Sequence, residues 1–238
     1  MPVSVVKIHN HRGGRKAKIE IRERVLEALT PEGAVVFDAF AGAGLMWREV
    51  WRRAAGYIGC DEEWHRDERC CYAADNRRVL RCIDLSPFTV FDLAAYGSPW
   101  EQALIIAARR RPMAVGERLG LVFTEGSYLR MRFSKVPRAM RLAAGVMPAV
   151  EFGAGHMHDA LIGRAVSGIA RRMRGRVVKE GRALGVTSSH VHYVAVILEG
   201  VPHVDDQPRT PPRADRVSRR AAAPPAAAAP PGTPDVPT

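Results

Sequence analysis

The sequence predicts an α/β domain whose largely parallel sheet carries helices on both faces and ends in an antiparallel hairpin. Three observations carry this. Short apolar runs alternate with helical patterns over roughly the first 200 residues, the signature of strands joined by crossover helices. One such run, Ala34–Ala39, feeds a Gly42-Ala43-Gly44 turn. Two strand patterns, Arg176–Val186 and His190–Leu198, are separated only by Thr187-Ser188-Ser189, which reads as a hairpin.

In chain order, Ile19–Leu29 places Ile21, Val25, Leu26 and Leu29 on one helical stripe, broken by Pro31-Glu32-Gly33. Ala34–Ala39 is a continuous apolar run of buried-strand type. Ala43–Ala54 reads as a helix and Tyr57–Cys60 as the next strand. Glu62–Ala73 is expected to be helical, Val79–Ile83 to be the third strand and Val90–Ala94 the fourth. Trp100–Arg110 follows as a helix and Leu119–Thr124 as the fifth strand. Arg130–Gly155 carries no clear pattern. Asp159–Arg174 is an amphipathic helix with Leu161, Ile162, Ala165, Val166, Ile169 and Met173 on one face, and the hairpin completes seven strands.

Three regions follow from composition. Residues 1–18 form a basic segment and residues 19–204 the α/β domain. Residues 205–238 hold many prolines and alanines and almost no large apolar side chains, so a disordered tail is expected there. Met1–Lys7 has no apolar core of signal-peptide length, and no stretch approaches the ~20 apolar residues that span a bilayer. Cys60, Cys70, Cys71 and Cys82 contain no C-x-x-C pair and form a poor disulfide framework. A reducing, cytoplasmic setting is therefore expected.

The net charge of +11 fits a polyanionic partner such as DNA or RNA, although arginine-rich composition alone produces the same sign. Positive charge concentrates at His9–Arg24, at Arg109-Arg110-Arg111, and at Arg130, Arg132, Lys135, Arg138 and Arg141. The last group follows the fifth strand, on the side where ligands enter an open α/β sheet. The pairs His9-x-His11, His156-x-His158 and His190-x-His192 lack an accompanying carboxylate or third histidine at ligand spacing, and Cys60, His65, Cys70 and Cys71 match no common zinc spacing. No metal site is expected.

The segment Val35–Gly44 is the most informative. A G-x-G turn lets the backbone approach a ligand without a Cβ in the way. A dinucleotide fingerprint needs a third glycine where Trp47 stands, and a phosphate loop needs a Lys-Ser or Lys-Thr that is missing. Asp38, inside the strand end, suits a cationic ligand. The next strand ends in Cys60-Asp61-Glu62, where a carboxylate can accept both hydroxyls of a ribose. Asp61 also fits a helix N-cap, and both roles are compatible. Asp84 closes the expected third strand, within an Asp-Leu-Ser-Pro turn.

Asp38-x-Phe40-x-Gly42-x-Gly44 with Asp61 resembles the cofactor core of class I S-adenosylmethionine (SAM) dependent methyltransferases. The resemblance covers about Ile19 to Gly126, and the terminal hairpin agrees with it. It implies a Rossmann-like sheet of seven strands, the last antiparallel. It also implies SAM as cofactor, with Asp38, Ala39, Phe40, Gly42 and Gly44 around the methionine part, Asp61 and Glu62 at the ribose, and Asp84 at the adenine.

The fourth strand runs into Tyr96-Gly97-Ser98-Pro99. This is similar to the D-P-P-Y motif of amino-methylating nucleic-acid methyltransferases and to the D-P-F-G-S-P stretch of the tRNA guanine-N2 dimethyltransferases. In those motifs a carboxylate or amide oxygen and a backbone carbonyl accept the amine hydrogens, and an aromatic ring stacks on the extruded base. Here Ala94 and Ala95 stand where the motif places its acid and its proline. Asp92, on the same strand face as Ala94, is the alternative acceptor, and Tyr96 the stacking ring. Structural readings stand beside both: Asp92 ordering the loop, and Tyr96 packing beside Trp100.

The leading expectation is a SAM-dependent methyltransferase acting on an exocyclic nitrogen of a base in DNA or RNA. Two others fit the same residues: a nucleic-acid-binding module that keeps the fold and has lost catalysis, and a methyltransferase for a small molecule or protein.

Overall fold

A computed structural model describes residues 4–7, 14–63, 65–95, 97–133, 135–146, 154–185 and 190–202; for 4–7 it describes the backbone only. The expected tail, the loop of the terminal hairpin, His9, His11 and Tyr96 lie outside the described residues.

In chain order the elements are β1 (Ser4–Lys7), α1 (Gly14–Leu29), β2 (Val35–Asp38), α2 (Leu45–Glu49), β3 (Gly56–Asp61), β4 (Cys71–Ala73), α3 (Asn76–Cys82), β5 (Val90–Leu93), α4 (Trp100–Arg109), β6 (Arg118–Glu125), α5 (Tyr128–Phe133), α6 (Arg138–Ala144), α7 (His158–Arg172), β7 (Gly175–Leu184) and β8 (His192–Gly200). They build one sheet in the order β1-β7-β8-β6-β5-β2-β3-β4. β4, β3, β2, β5 and β6 run parallel, and β8 enters antiparallel to both β6 and β7. Apart from that inserted strand, the order is a doubly wound one, reversing direction between β2 and β5. The predicted fold class therefore holds, with one strand more than expected. β1, from the basic N-terminal segment, pairs parallel with β7 and makes the sheet eight-stranded.

Both faces are covered. α1 and a short 3-10 turn at Trp51–Arg53 pack on one side, where Ala17, Ile21, Val25 and Leu26 meet Val36, Val90, Val122 and Ile197. On the other, α3, α4, α6 and α7 enclose Phe37, Phe91 and Phe123 with Trp100, Leu161 and Ile169. Alternate residues of β2 and β6 thus feed opposite cores, as the pleat requires.

Two expectations are corrected between β3 and β5. Glu62–Ala73 is not a helix, and Val79–Ile83 is not a strand. The third parallel strand is Cys71–Ala73, an edge strand whose side chains are exposed. The apolar run is the inner face of α3, which buries Val79 and Leu80 and is capped by Asp75 accepting from Arg77 N at 2.8 Å. A short apolar run fits a buried strand or one helix face equally well. The helix expected over 43–54 is likewise split at Val50 into α2 and the 3-10 turn.

Candidate functional site

The parallel strands point their carboxyl ends at a cleft of about 810 Å³. Its floor is the loop after β2, lined by Ala39, Phe40, Ala41, Gly42 and Ala43. Asp61 and Glu62 at the end of β3, Asn76 at the start of α3, Ala94, Ala95 and Gly97 after β5, and Thr124 and Gly126 at the end of β6 complete the walls. Lys18 reaches in from α1, and Arg22 lies buried behind the wall. The volume is in the range that holds a nucleoside-sized ligand.

The floor is held from below. Gly42 and Gly44 adopt φ of 45° and 76°, the left-handed region that side chains strain to reach. A Cβ at Gly42 would meet nothing closer than 4.0 Å, whereas one at Gly44 would fall 2.8 Å from the Arg69 guanidinium carbon. Arg69 is buried behind the loop and donates to Ala41 O at 3.0 Å and Gly42 O at 2.8 Å, while Asp67 neutralises it at 2.7 Å. Asp61 Oδ2 accepts from Gly42 N at 2.8 Å, and Asn76 Nδ2 donates to Ala39 O at 2.8 Å. Nothing in local sequence marked Arg69 or Asn76, because their partners are backbone carbonyls about 30 residues away.

Asp61, Glu62, Ala39, Phe40 and Gly42 are therefore placed at the cleft, and Gly44 behind its floor. Three other expected site residues are not. Asp38 lies under the floor, where it accepts from Phe40 N and Tyr57 OH, both at 3.1 Å. Burial, with Asp92 beside it in register, pushes its carboxyl up to about 7. Asp84 does not end a strand. It sits in the turn between α3 and β5, at the amino end of the sheet, and accepts from Ser86 N at 2.9 Å. Asp75 and Asn76 follow the third strand instead, in the place expected for Asp84.

Asp92 departs furthest from expectation. Its Oδ2 accepts from Arg22 Nε at 2.6 Å and from Trp51 Nε1 at 2.7 Å, and its Oδ1 accepts from Arg22 Nη2 at 2.8 Å. Asp92 and Arg22 are both 0% exposed. A carboxylate committed this fully to buried donors is unsuited to receive a substrate amine, so Asp92 is a structural residue that ties α1 to the sheet. The position it was expected to replace, Ala94, does line the cleft.

Thr124, at the end of β6, was not anticipated. It lines the cleft, is 7% exposed, and its hydroxyl has no hydrogen-bond partner among the described residues. Ser98 Oγ is likewise buried without a partner among the described residues. Such groups are costly unless something completes them, which makes them candidates for ligand contact. Gly126 N donates to Gly97 O at 2.6 Å and locks the loop after β5 to the loop after β6.

On the other face of β6, His158, His190 and His192 converge. His158 lies 4.8 Å from His192 edge-on, and Tyr128 stacks on His190 at 4.0 Å with the rings 5° from parallel. Glu125, fully buried, accepts from Ser127 N at 2.7 Å and faces His158 Nε2 at 3.4 Å. Burial and the neighbouring His158 push His192 down to about 4. Among the described residues no group of three or more His, Cys, Asp or Glu is arranged to hold a metal ion.

No family model and no curated protein matches the sequence. Solved structures do match the fold. A complex of Trm1 from Pyrococcus horikoshii with S-adenosyl-L-methionine superposes with a TM-score of 0.51 at 18% identity, over 81% of this chain and 56% of that one. The chain has the fold of the class I methyltransferases. A protein from Lactococcus lactis described as a candidate hemolysin also scores 0.51, at 13% identity, over 81% of this chain and 90% of that one. A tRNA m1G37 methyltransferase from M. jannaschii scores 0.45 at 10% identity, over 81% of this chain and 52% of that one. The chain spans just over half the length of the Trm1 structure it resembles.

Proposed function

We propose that the protein is a SAM-dependent methyltransferase acting on an exocyclic nitrogen of a base in DNA or RNA. The observation that carries the cofactor is the left-handed Gly42 floor with Asp61 and Glu62 on the adjoining wall. That arrangement fits the group: bare backbone for close approach, carboxylates for ribose hydroxyls, and a volume sufficient for the whole molecule.

Bound SAM supplies an electrophilic methyl group. The residues of this chain bind and orient. Asn76, its amide bonded to Ala39 O and Gln102, fixes the wall beside the floor, Lys18 brings a cation to the cleft for a carboxylate, and Ala94 and Ala95 leave room for a planar acceptor. The Thr124 hydroxyl is the free polar group for the substrate. The nucleic-acid assignment is supported by the Tyr96–Pro99 motif and by the cations of α5 and α6.

One observation favours a second reading. With Asp92 locked and alanine at 94, no carboxylate of the fourth strand is available to the amine, as in a binding module that has lost catalysis. Calorimetry with SAM, followed by transfer of radiolabel to DNA, tRNA, total RNA and a metabolite extract, separates these. SAM binding with label in nucleic acid is expected. Failure to bind SAM removes the cofactor assignment, and label only in metabolites removes the substrate class.

A further inference from the structure

The surface of α5 and α6 joins two features. From Gly126 to Val150 the sequence has no acidic residue, but it has Arg130, Arg132, Lys135, Arg138 and Arg141. Elsewhere exposed and half-buried arginines are neutralised: Arg15 by Glu49, Arg24 by Glu20, Arg53 by Glu23, Arg77 by Asp75 and Arg176 by Glu199. The Arg109–Arg111 run is partly spent in the same way, since Glu117 binds both Arg110 and Arg111. Arg130, Arg132, Lys135 and Arg138 are exposed and stand in no ion pair among the described residues.

Interleaved with these cations are apolar side chains that the fold leaves in water. Phe133 is 69% exposed, Leu129 51% and Leu142 50%. The Arg132 guanidinium lies 5.2 Å from the Phe133 ring centroid, so a flat cation and an aromatic ring stand together at the surface. α5 begins directly beyond the carboxyl end of β6, which brings the patch next to the cleft wall at Thr124 and Gly126.

We infer that this surface binds an unpaired nucleic-acid strand, with Phe133 and Arg132 stacking on a base and Arg130, Lys135 and Arg138 on the flanking phosphates. Cations alone would grip any polyanion. The exposed ring and leucines select for bases that are free to stack, which a duplex keeps inside. The inference rests on the nucleic-acid reading above and narrows it to single strands, loops or flipped positions. A base splayed out on this surface is also what an enzyme acting on a ring amine needs.

The test is binding of a fluorescent RNA strand, and of the same strand annealed to its complement, to the full chain at several salt concentrations. The single strand is expected to bind more tightly. Phe133→Ala should weaken it about 5- to 100-fold and leave duplex binding unchanged. Lys135→Gln should lower the salt slope for the single strand by about 0.7. Because Phe133 is exposed, its loss does not threaten the fold. Equal affinity for strand and duplex, or an unaltered Phe133→Ala, overturns the inference. So does competition by poly-glutamate as strong as that of the strand, which would point to an acidic protein. If no strand binds at low salt while calorimetry still shows SAM binding, the surface and the substrate class fall together and the cofactor assignment stands. If strands bind and SAM does not, only the proposed function falls.

Discussion

The guanidinium of Arg22 meets the carboxylate of Asp92 through two hydrogen bonds, 2.6 and 2.8 Å long, with both side chains shut off from water. Trp51 adds a third donor, at 2.7 Å. Three segments distant in sequence, α1, the 3-10 turn and β5, converge on one carboxylate. The pair turns a strand position that looked chemical into one that organises the cofactor side of the domain.

Breaking the pair from one side should be costly. Asp92→Asn or Arg22→Met leaves a buried charge or donor set without its counterpart, and about 3–5 kcal/mol of stability is expected to be lost in urea unfolding. The double replacement Arg22→Met with Asp92→Leu should recover most of that loss. If Asp92→Asn unfolds like wild type and only activity falls, Asp92 acts on substrate after all.

The two glycines of the floor should fail differently. Gly42→Val points its side chain into the cleft, so SAM affinity should fall by at least about tenfold, with a stability cost near the ~1–2 kcal/mol of a left-handed non-glycine residue. Gly44→Val drives its side chain into Arg69, so the larger loss should be in melting temperature. Calorimetry and thermal melts on both variants separate the two effects, and identical profiles would contradict the geometry.

Ala94→Asp tests the gap in the substrate motif. Ala94 lines the cleft, and Asp92 behind it is already neutralised by Arg22, so little repulsion opposes a new carboxylate. If the acceptor is a base amine, turnover should rise by up to ~10²-fold, since a positioned proton acceptor contributes ~10²–10⁴. SAM affinity should stay put. Unchanged turnover in a folded, SAM-binding variant would remove the amine from the account.

Acid should loosen the histidine cluster. His192 has its folded value pushed down to about 4 from an ordinary 6.5, so between these values the unfolded chain binds more protons. Stability from this group is then fully present above about 6.5 and is lost as pH falls toward 4. His192→Gln, which cannot titrate, should flatten that part of the stability profile in urea titrations at pH 7, 6 and 5. A wild-type profile as flat as the variant's would contradict the burial of the ring.

The parts of this fold that were legible in the sequence are those where one residue's environment is set by its neighbours in the chain. The β2 run, the Gly42-x-Gly44 turn and Asp61 at the end of β3 follow from local periodicity and backbone freedom. The structure departs from local pattern where distant partners decide. Cys71–Ala73 is a strand because β3 offers it an edge, not because of its own pattern. Asp38 and Asp92 looked like ligand groups, since an acid at a strand end is usually solvated. Only the arrival of Tyr57, and of Arg22 and Trp51, converts them into buried braces. A lone threonine near the end of an apolar strand, such as Thr124, carries no signal in the sequence, because its role depends on the cleft beside it.

The pairing of Ser4–Lys7 with Lys179–Arg182 has a practical consequence. β7 is ten residues long and would otherwise end the sheet with a row of open backbone donors and acceptors. Such an edge invites pairing with a second copy and is a recognised route to aggregation. The first strand blunts it over the four residues it covers. A shortened chain starting at Gly14 should keep α1 and the cleft, yet lose solubility on concentration, as light scattering would reveal. Tags or deletions at this end therefore act on colloidal behaviour through a strand whose partner is more than 170 residues away along the sequence.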